Sequence, residues 1–271
     1  MFSEFLVNTW ITASVVAVVA GLVGFFVLLR GSSFLAHALP HGAFAGAAGA
    51  TLLGVDPIVG MGVVAVAGAL TISTLGRRGR NDVVIALSLV VMLAFGALFL
   101  SLGSQYSSEV FALLFGQILG VSSAEVLPIV FLGVLCVVAV VVAYRPLLIA
   151  SILPDQAAAR GINPYGMSVF FAVLVAVATT LSVPIVGALL MFSLLVGPPA
   201  AARLVSPNPL RAIPLSIGLA LVTVWVSIAA AYVTSLPVGF FVTAISAVLY
   251  GLGRGWFTLR TRRRSVSAEG A

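Results

Sequence analysis

Apolar residues run along this 271-residue chain in long blocks, with neither the alternation of a half-buried strand nor the narrow stripe of a surface helix. Each block is about 20 residues long, the length at which a helix rising about 1.5 Å per residue crosses roughly 30 Å of hydrocarbon. The pattern predicts nine spans, at residues 7–29, 34–53, 58–75, 83–102, 126–143, 165–181, 185–202, 213–233 and 238–252. Only helices and closed barrels satisfy every backbone polar group inside a bilayer, and blocks of this length select the helix. The expected architecture is therefore all-α, a polytopic membrane bundle of 8–9 helices occupying residues 1–256 as one domain. The lower count arises because the seventh block follows Pro184 and runs into "GPPAAAR", which suits a broken or re-entrant helix.

The polar positions between the blocks set the orientation. Arg30, Arg77, Arg78, Arg80, Arg145, Arg160, Arg203, Arg211 and Arg254 all fall on one side if nine spans alternate, and the positive-inside rule makes that side the cytoplasm. The N-terminus then lies outside, together with Asp56, Glu109 and Glu125. "MFSEFLVNTW" has no basic residue ahead of the first block, unlike a cleaved secretory signal, so that block is expected to remain as a span. Residues 257–271, "FTLRTRRRSVSAEGA", are expected to form a disordered cytoplasmic tail able to touch anionic lipid.

Composition narrows the function. The chain is 62% apolar and 7% charged, and its mean hydropathy is +1.26, which no soluble core could conceal. All thirteen basic residues are arginine, so no P-loop lysine is present to hold ATP phosphates. The net charge of +6 sits between spans, where it orients the membrane and does not speak for nucleic acid. The single cysteine, Cys136, lies mid-span and reads as packing.

Two connecting segments have signals of their own. Residues 107–126, "SSEVFALLFGQILGVSSAEV", suggest a short outer helix and turn. Residues 154–164, "PDQAAARGINP", have proline and aspartate at a helix start, an alanine run, and Gly161 as a stop. Gly42, Gly46 and Gly49 have the spacing of a close helix contact, and ordinary bundle packing explains them equally well.

Both histidines of the chain fall in "FLAHALPHGAF". His37 and His41 are four apart, so on a helix they share a face and can share one ion. The eleven residues from Arg30 to His41 rise about 16 Å, near mid-membrane. Ionisable groups at that depth are costly and neutral imidazole is a common ligand for zinc and related metals, so for this pair an ion-binding role stands level with simple helix fastening. Pro40 between them removes a donor and is expected to kink the helix. Two nitrogens are too few for a tight zinc site, which suits a cargo that must be released. A secondary carrier would be expected to hold mid-membrane carboxylates, and none is visible; nor is there an HExxH or glycine-framed serine for hydrolysis.

Taken together, several stretches resemble the permease subunits of bacterial ABC importers for zinc, manganese and ferrous iron. "FLAHALPHGAFAG" after "LLR" is similar to that family's aromatic-x-G-D-A-x-S-H-A-x-x-P-G, with His37 where the family has aspartate and His41 on its histidine. Gly46 falls on the family's glycine, while Pro40 and Ala45 replace its serine and proline. "LLFGQILGVSSAEV" and "ILPDQAAARGI" resemble its outer segment and its ATPase-docking helix, and "VPIVGALLMFSLLVGPPAAARLV" carries matches at Gly187, Pro199 and Ala200.

The resemblance implies an ion path through His37 and His41 at a homodimer interface. Docking would use Pro154, Asp155, Gln156, Ala157, Arg160 and Gly161, with ATP bound and hydrolysed on a separate cytoplasmic ATPase subunit. An extracytoplasmic metal-binding protein would deliver the ion, and this chain would itself be no enzyme. Replacing the aspartate oxygen by the His37 nitrogen tilts the expected cargo towards zinc, with manganese or ferrous iron the alternative.

Overall fold

The computed structural model describes residues 4–76, 81–103, 116 and 121–269. Arg77, Arg78, Arg80 and Glu109 lie outside the described residues, as does almost all of the expected outer segment before Val121. Among the described residues every regular element is helical: α1 (Glu4–Leu29), α2 (Ser33–Leu52), α3 (Pro57–Leu75), α4 (Asn81–Leu102), α5 (Ser123–Val142), α6 (Tyr144–Ile152), α7 (Pro154–Ala159), α8 (Pro164–Val186), α9 (Ala188–Val205), α10 (Pro209–Thr234) and α11 (Val238–Glu269).

Three long helices start with the same device. Asp56, Asn163 and Asn208 each precede a proline, and each side-chain oxygen accepts the amide of the residue two further on, at 2.7, 3.0 and 3.0 Å. Proline fixes the first helical φ and its missing N–H is one that a helix start leaves unpaired anyway, so the pair sets where α3, α8 and α10 begin. At α5 the Glu125 carboxylate instead accepts the Ser122 amide at 2.9 Å.

Seven described helices are long and apolar enough to cross a membrane: α1, α3, α4, α5, α8, α10 and α11. The two further expected spans correspond to α2 and α9. In α2 the histidines, Pro40 and three glycines dilute the apolar character, and a helix buried on nearly all sides by protein does not need a lipid-compatible surface. The apolar part of α9, Leu190–Val205, is shorter than the others.

Buried side chains concentrate on α1, α2, α8 and α9, with Phe25, Phe26, Phe171, Leu181 and Leu195 among the largest that are wholly enclosed. Helices α4, α5 and α11 lie outside and expose leucine, valine and phenylalanine, the surface that lipid solvates. Close approaches use glycine. A Cβ on Gly46 of α2 would collide with the Gly60 carbonyl oxygen of α3, and one on Gly60 with that of Gly46. Gly42 and Gly49 receive Met92 and Phe99 of α4 in the same way.

Three boundaries differ from expectation. The chain does not loop after Ala143 but continues as α6, because Pro146 sits in the first turn, where a missing N–H costs nothing. The break near Pro184 falls three residues later, at Gly187, whose φ of 90° stops α8 and restarts the chain as α9. Helix α11 continues past Trp256 to Glu269, through the stretch expected to be a tail.

Candidate metal site

Helix α2 places the two histidines as their spacing requires. The His37 and His41 rings meet edge to face, with centroids 5.0 Å apart and planes at 82°. Two imidazoles bound to one ion at about 2.1 Å and a roughly tetrahedral angle would have centroids about 5 Å apart, so the separation fits a shared ion. His41 is buried, and its Nδ1 has no hydrogen-bond partner. A buried imidazole nitrogen left without a partner is costly, and a metal ion or its water would satisfy it. His37 is half-buried and also packs edge to face on Phe192 of α9, at 5.0 Å and 73°. That ring fixes His37 against a second helix and could not be anticipated from sequence.

Among the described residues no group of three or more histidine, cysteine, aspartate or glutamate side chains comes together. Cys136 is buried on α5, away from the pair, as expected of a packing residue.

Towards the start of α2 lies a cavity of about 570 Å³. Arg30, Asp82, Tyr165 and Ser168 are among its lining groups, alongside Phe34 and Leu35 at the foot of the histidine helix. Arg30, used in the sequence only as a marker of orientation, is a structural hub. Its guanidinium donates to Ser151 Oγ of α6 at 3.1 Å and to Ser168 Oγ of α8 at 2.8 Å, and lies 5.1 Å from the Phe171 ring centroid. Burial pulls this guanidinium below its ordinary pKa. Two helices, α6 and α8, are thereby tied to the turn that launches α2. The only sequence signal was one arginine at the end of an apolar block, facing serines more than a hundred residues away.

The expected docking segment is α7. Pro154, Asp155, Gln156, Arg160 and Gly161 are exposed, and Ala157 is fully buried beneath them. Gly161, at φ 76°, ends the helix, with the Ile162 amide donating to the Ala157 carbonyl at 3.0 Å. Of the remaining expected positions, Gly46 makes the α2–α3 crossing, Gly187 the α8–α9 break, and Pro199 lies inside α9 against Gly24 of α1. Ala200 is half-buried beside it.

A family model described as the ABC 3 transport family matches residues 2–253, nearly the whole chain. The chain belongs to the ABC 3 transport family. Among curated relatives, it is 26% identical over 248 residues to the manganese transport system membrane protein MntC of Listeria innocua, covering 91% of this chain and 88% of that one. It is 28% identical over 216 residues to the chelated iron transport system membrane protein YfeC of Yersinia pestis, covering 79% and 73%. The solved structure of PsaBC from Streptococcus pneumoniae in complex with Fab matches with a TM-score of 0.84 at 26% identity, covering 93% of this chain and 91% of that chain. This membership fixes the chain as a multi-pass permease of metal ABC transport, not an enzyme.

Proposed function

We propose that this permease imports a divalent first-row transition metal, with manganese or ferrous iron as cargo, and that the ion passes through the His37–His41 pair. The observation that carries the path is the histidine geometry: two rings 5.0 Å apart on α2, one of them with a buried unpartnered nitrogen. The cargo follows the relatives, whose names are manganese and chelated-iron transport proteins. Zinc is the second reading. It is favoured by the donor set itself, two nitrogens and no carboxylate, because imidazole suits zinc while manganese prefers oxygen.

In this reading two copies face each other, so that half-buried His37 and its counterpart close the site. A cytoplasmic ATPase binds and hydrolyses ATP against α7, whose charged and small residues project from the bundle. Motion of α7 reaches α6 directly and then, through the Ser151–Arg30–Ser168 clamp, the turn before α2 and the foot of α8. The arginine-rich end of α11 lies in the cytoplasm beside anionic lipid. An extracytoplasmic metal-binding protein supplies the ion.

The test is uptake of radioactive manganese into proteoliposomes holding the permease with its ATPase and binding protein, with zinc and ferrous iron as competitors. Native protein should accumulate manganese on ATP addition, and His37→Ala or His41→Ala should abolish accumulation while leaving ATPase binding intact. Zinc uptake unaffected by excess manganese would establish the second reading. Normal uptake by both variants would remove the histidines from the path.

A further inference from the structure

The cavity of about 570 Å³ beside Arg30 holds two opposite charges that do not meet. Arg30 and Asp82 both line it, yet neither forms an ion pair among the described residues. The acceptors on the guanidinium are the neutral hydroxyls of Ser151 and Ser168. Each of these gives its own proton to a carbonyl one turn back, that of Leu147 or Pro164. The positive charge is thus held in place without being neutralised, and the remaining N–H groups of its fork stay available. The first turn of α2 adds the positive end of a helix: Phe34 and Leu35 line the same cavity, and Ser32 at the helix start makes no side-chain capping bond. Asp82, exposed in the first turn of α4, supplies the negative charge from another wall.

The place decides what kind of molecule enters. The apolar spans of α1 and α3 stop at Leu29 and Leu75, and those of α4 and α8 start at Asp82 and Pro164. The lining residues Arg30, Gly76, Asp82 and Tyr165 stand at those four ends, which is the level of lipid headgroups and not of the hydrocarbon core. On its outer side α4 exposes Val83, Leu87 and Val90, so lipid borders this part of the bundle. A divalent cation is disfavoured here, because the Arg30 charge repels it.

We propose that this cavity binds the headgroup of phosphatidylethanolamine, with the phosphate on Arg30 and the primary ammonium on Asp82. A guanidinium fork suits phosphate oxygens, and an ammonium offers its protons to a carboxylate. One zwitterion neutralises both side chains together, whereas a phosphate alone or an amine alone leaves one of them uncompensated. The volume lies in the range of pockets that take small organic groups. The site does not depend on which metal the permease carries or on the histidine path.

The full-length chain is unfolded by heat in nanodiscs of phosphatidylcholine, and again with part of that lipid exchanged for phosphatidylethanolamine of the same acyl chains. Phosphatidylcholine keeps the phosphate, but its methylated ammonium has no N–H to donate, so the difference isolates the amine contact. Native protein should unfold about 5 °C higher in the mixed discs, and mass spectrometry of the detergent-extracted protein should find phosphatidylethanolamine retained. In Asp82→Asn the shift should fall below about 1 °C and the lipid should be lost, while the unfolding temperature in phosphatidylcholine stays within about 2 °C of native. Absence of the shift in native protein would overturn the site. So would a shift equally large in Asp82→Asn, because that reports the bilayer alone. Equal stabilisation and retention with phosphatidylglycerol would overturn the zwitterion in favour of a bare phosphate. Soluble phosphoethanolamine giving the same shift in phosphatidylcholine discs would overturn the lipid as the source.

Discussion

Replacing Arg30 with glutamine should destabilise the whole bundle, although the residue stands at a helix end beside a cavity. The guanidinium makes two charge-assisted bonds, to Ser151 and Ser168, each worth about 1.5–3 kcal/mol, and a contact with the Phe171 ring worth about 1 kcal/mol. Against this loss of about 4–7 kcal/mol stand the relief of a partly buried charge and the single hydrogen bond that glutamine can rebuild. The side chain lines an open cavity, so the relief is limited to about 2–4 kcal/mol. The net cost is about 2–3 kcal/mol, which for a chain of this size lowers the unfolding temperature by about 4–12 °C. Thermal unfolding in lipid nanodiscs, followed by tryptophan fluorescence, measures it. Arg30→Lys should fall between the two, because one ammonium cannot serve two hydroxyls in a fixed fork. The decisive comparison repeats Arg30→Gln in a Ser151→Ala, Ser168→Ala background. There the arginine has already lost its acceptors, and its replacement should cost less by about 1.5 kcal/mol or more. An unchanged cost in that background would refute the clamp.

Gly46→Leu should separate α2 from α3, since even a Cβ collides with the Gly60 carbonyl; a loss of about 1–3 kcal/mol in nanodisc unfolding is expected, with impaired uptake. Gly187→Val should cost about 1–3 kcal/mol and shift the α8–α9 break, because a β-branched residue strains at φ 90°; unfolding and protease sensitivity near that turn read it out. Asp155→Lys reverses an exposed charge on α7 and should weaken ATPase co-purification at least severalfold while leaving the unfolding temperature within about 1 °C.

Sequence alone delivered the elements whose causes are local. Span length follows from runs of apolar residues, and the end of α7 from Gly161. The shared face of His37 and His41 also follows from spacing, because four residues on a helix return nearly to the same side. What hydropathy blurred was the status of α2, since a helix enclosed by protein can carry imidazoles and glycines that a lipid-facing helix cannot.

The groups that sequence reasoning missed are those whose meaning depends on a partner far along the chain. Arg30 meets serines at positions 151 and 168, and His37 meets Phe192. Ser216 is an ordinary small polar residue in an apolar run, where a hydroxyl normally bonds back to its own helix. It instead donates to the Gly21 carbonyl of α1 at 2.7 Å, across two helices. In a membrane bundle, then, a charged residue announces itself by rarity, whereas a neutral polar one is informative only through where its hydrogen bond goes. That distinction explains why the histidine pair was visible at once and the Ser216–Gly21 bond was not.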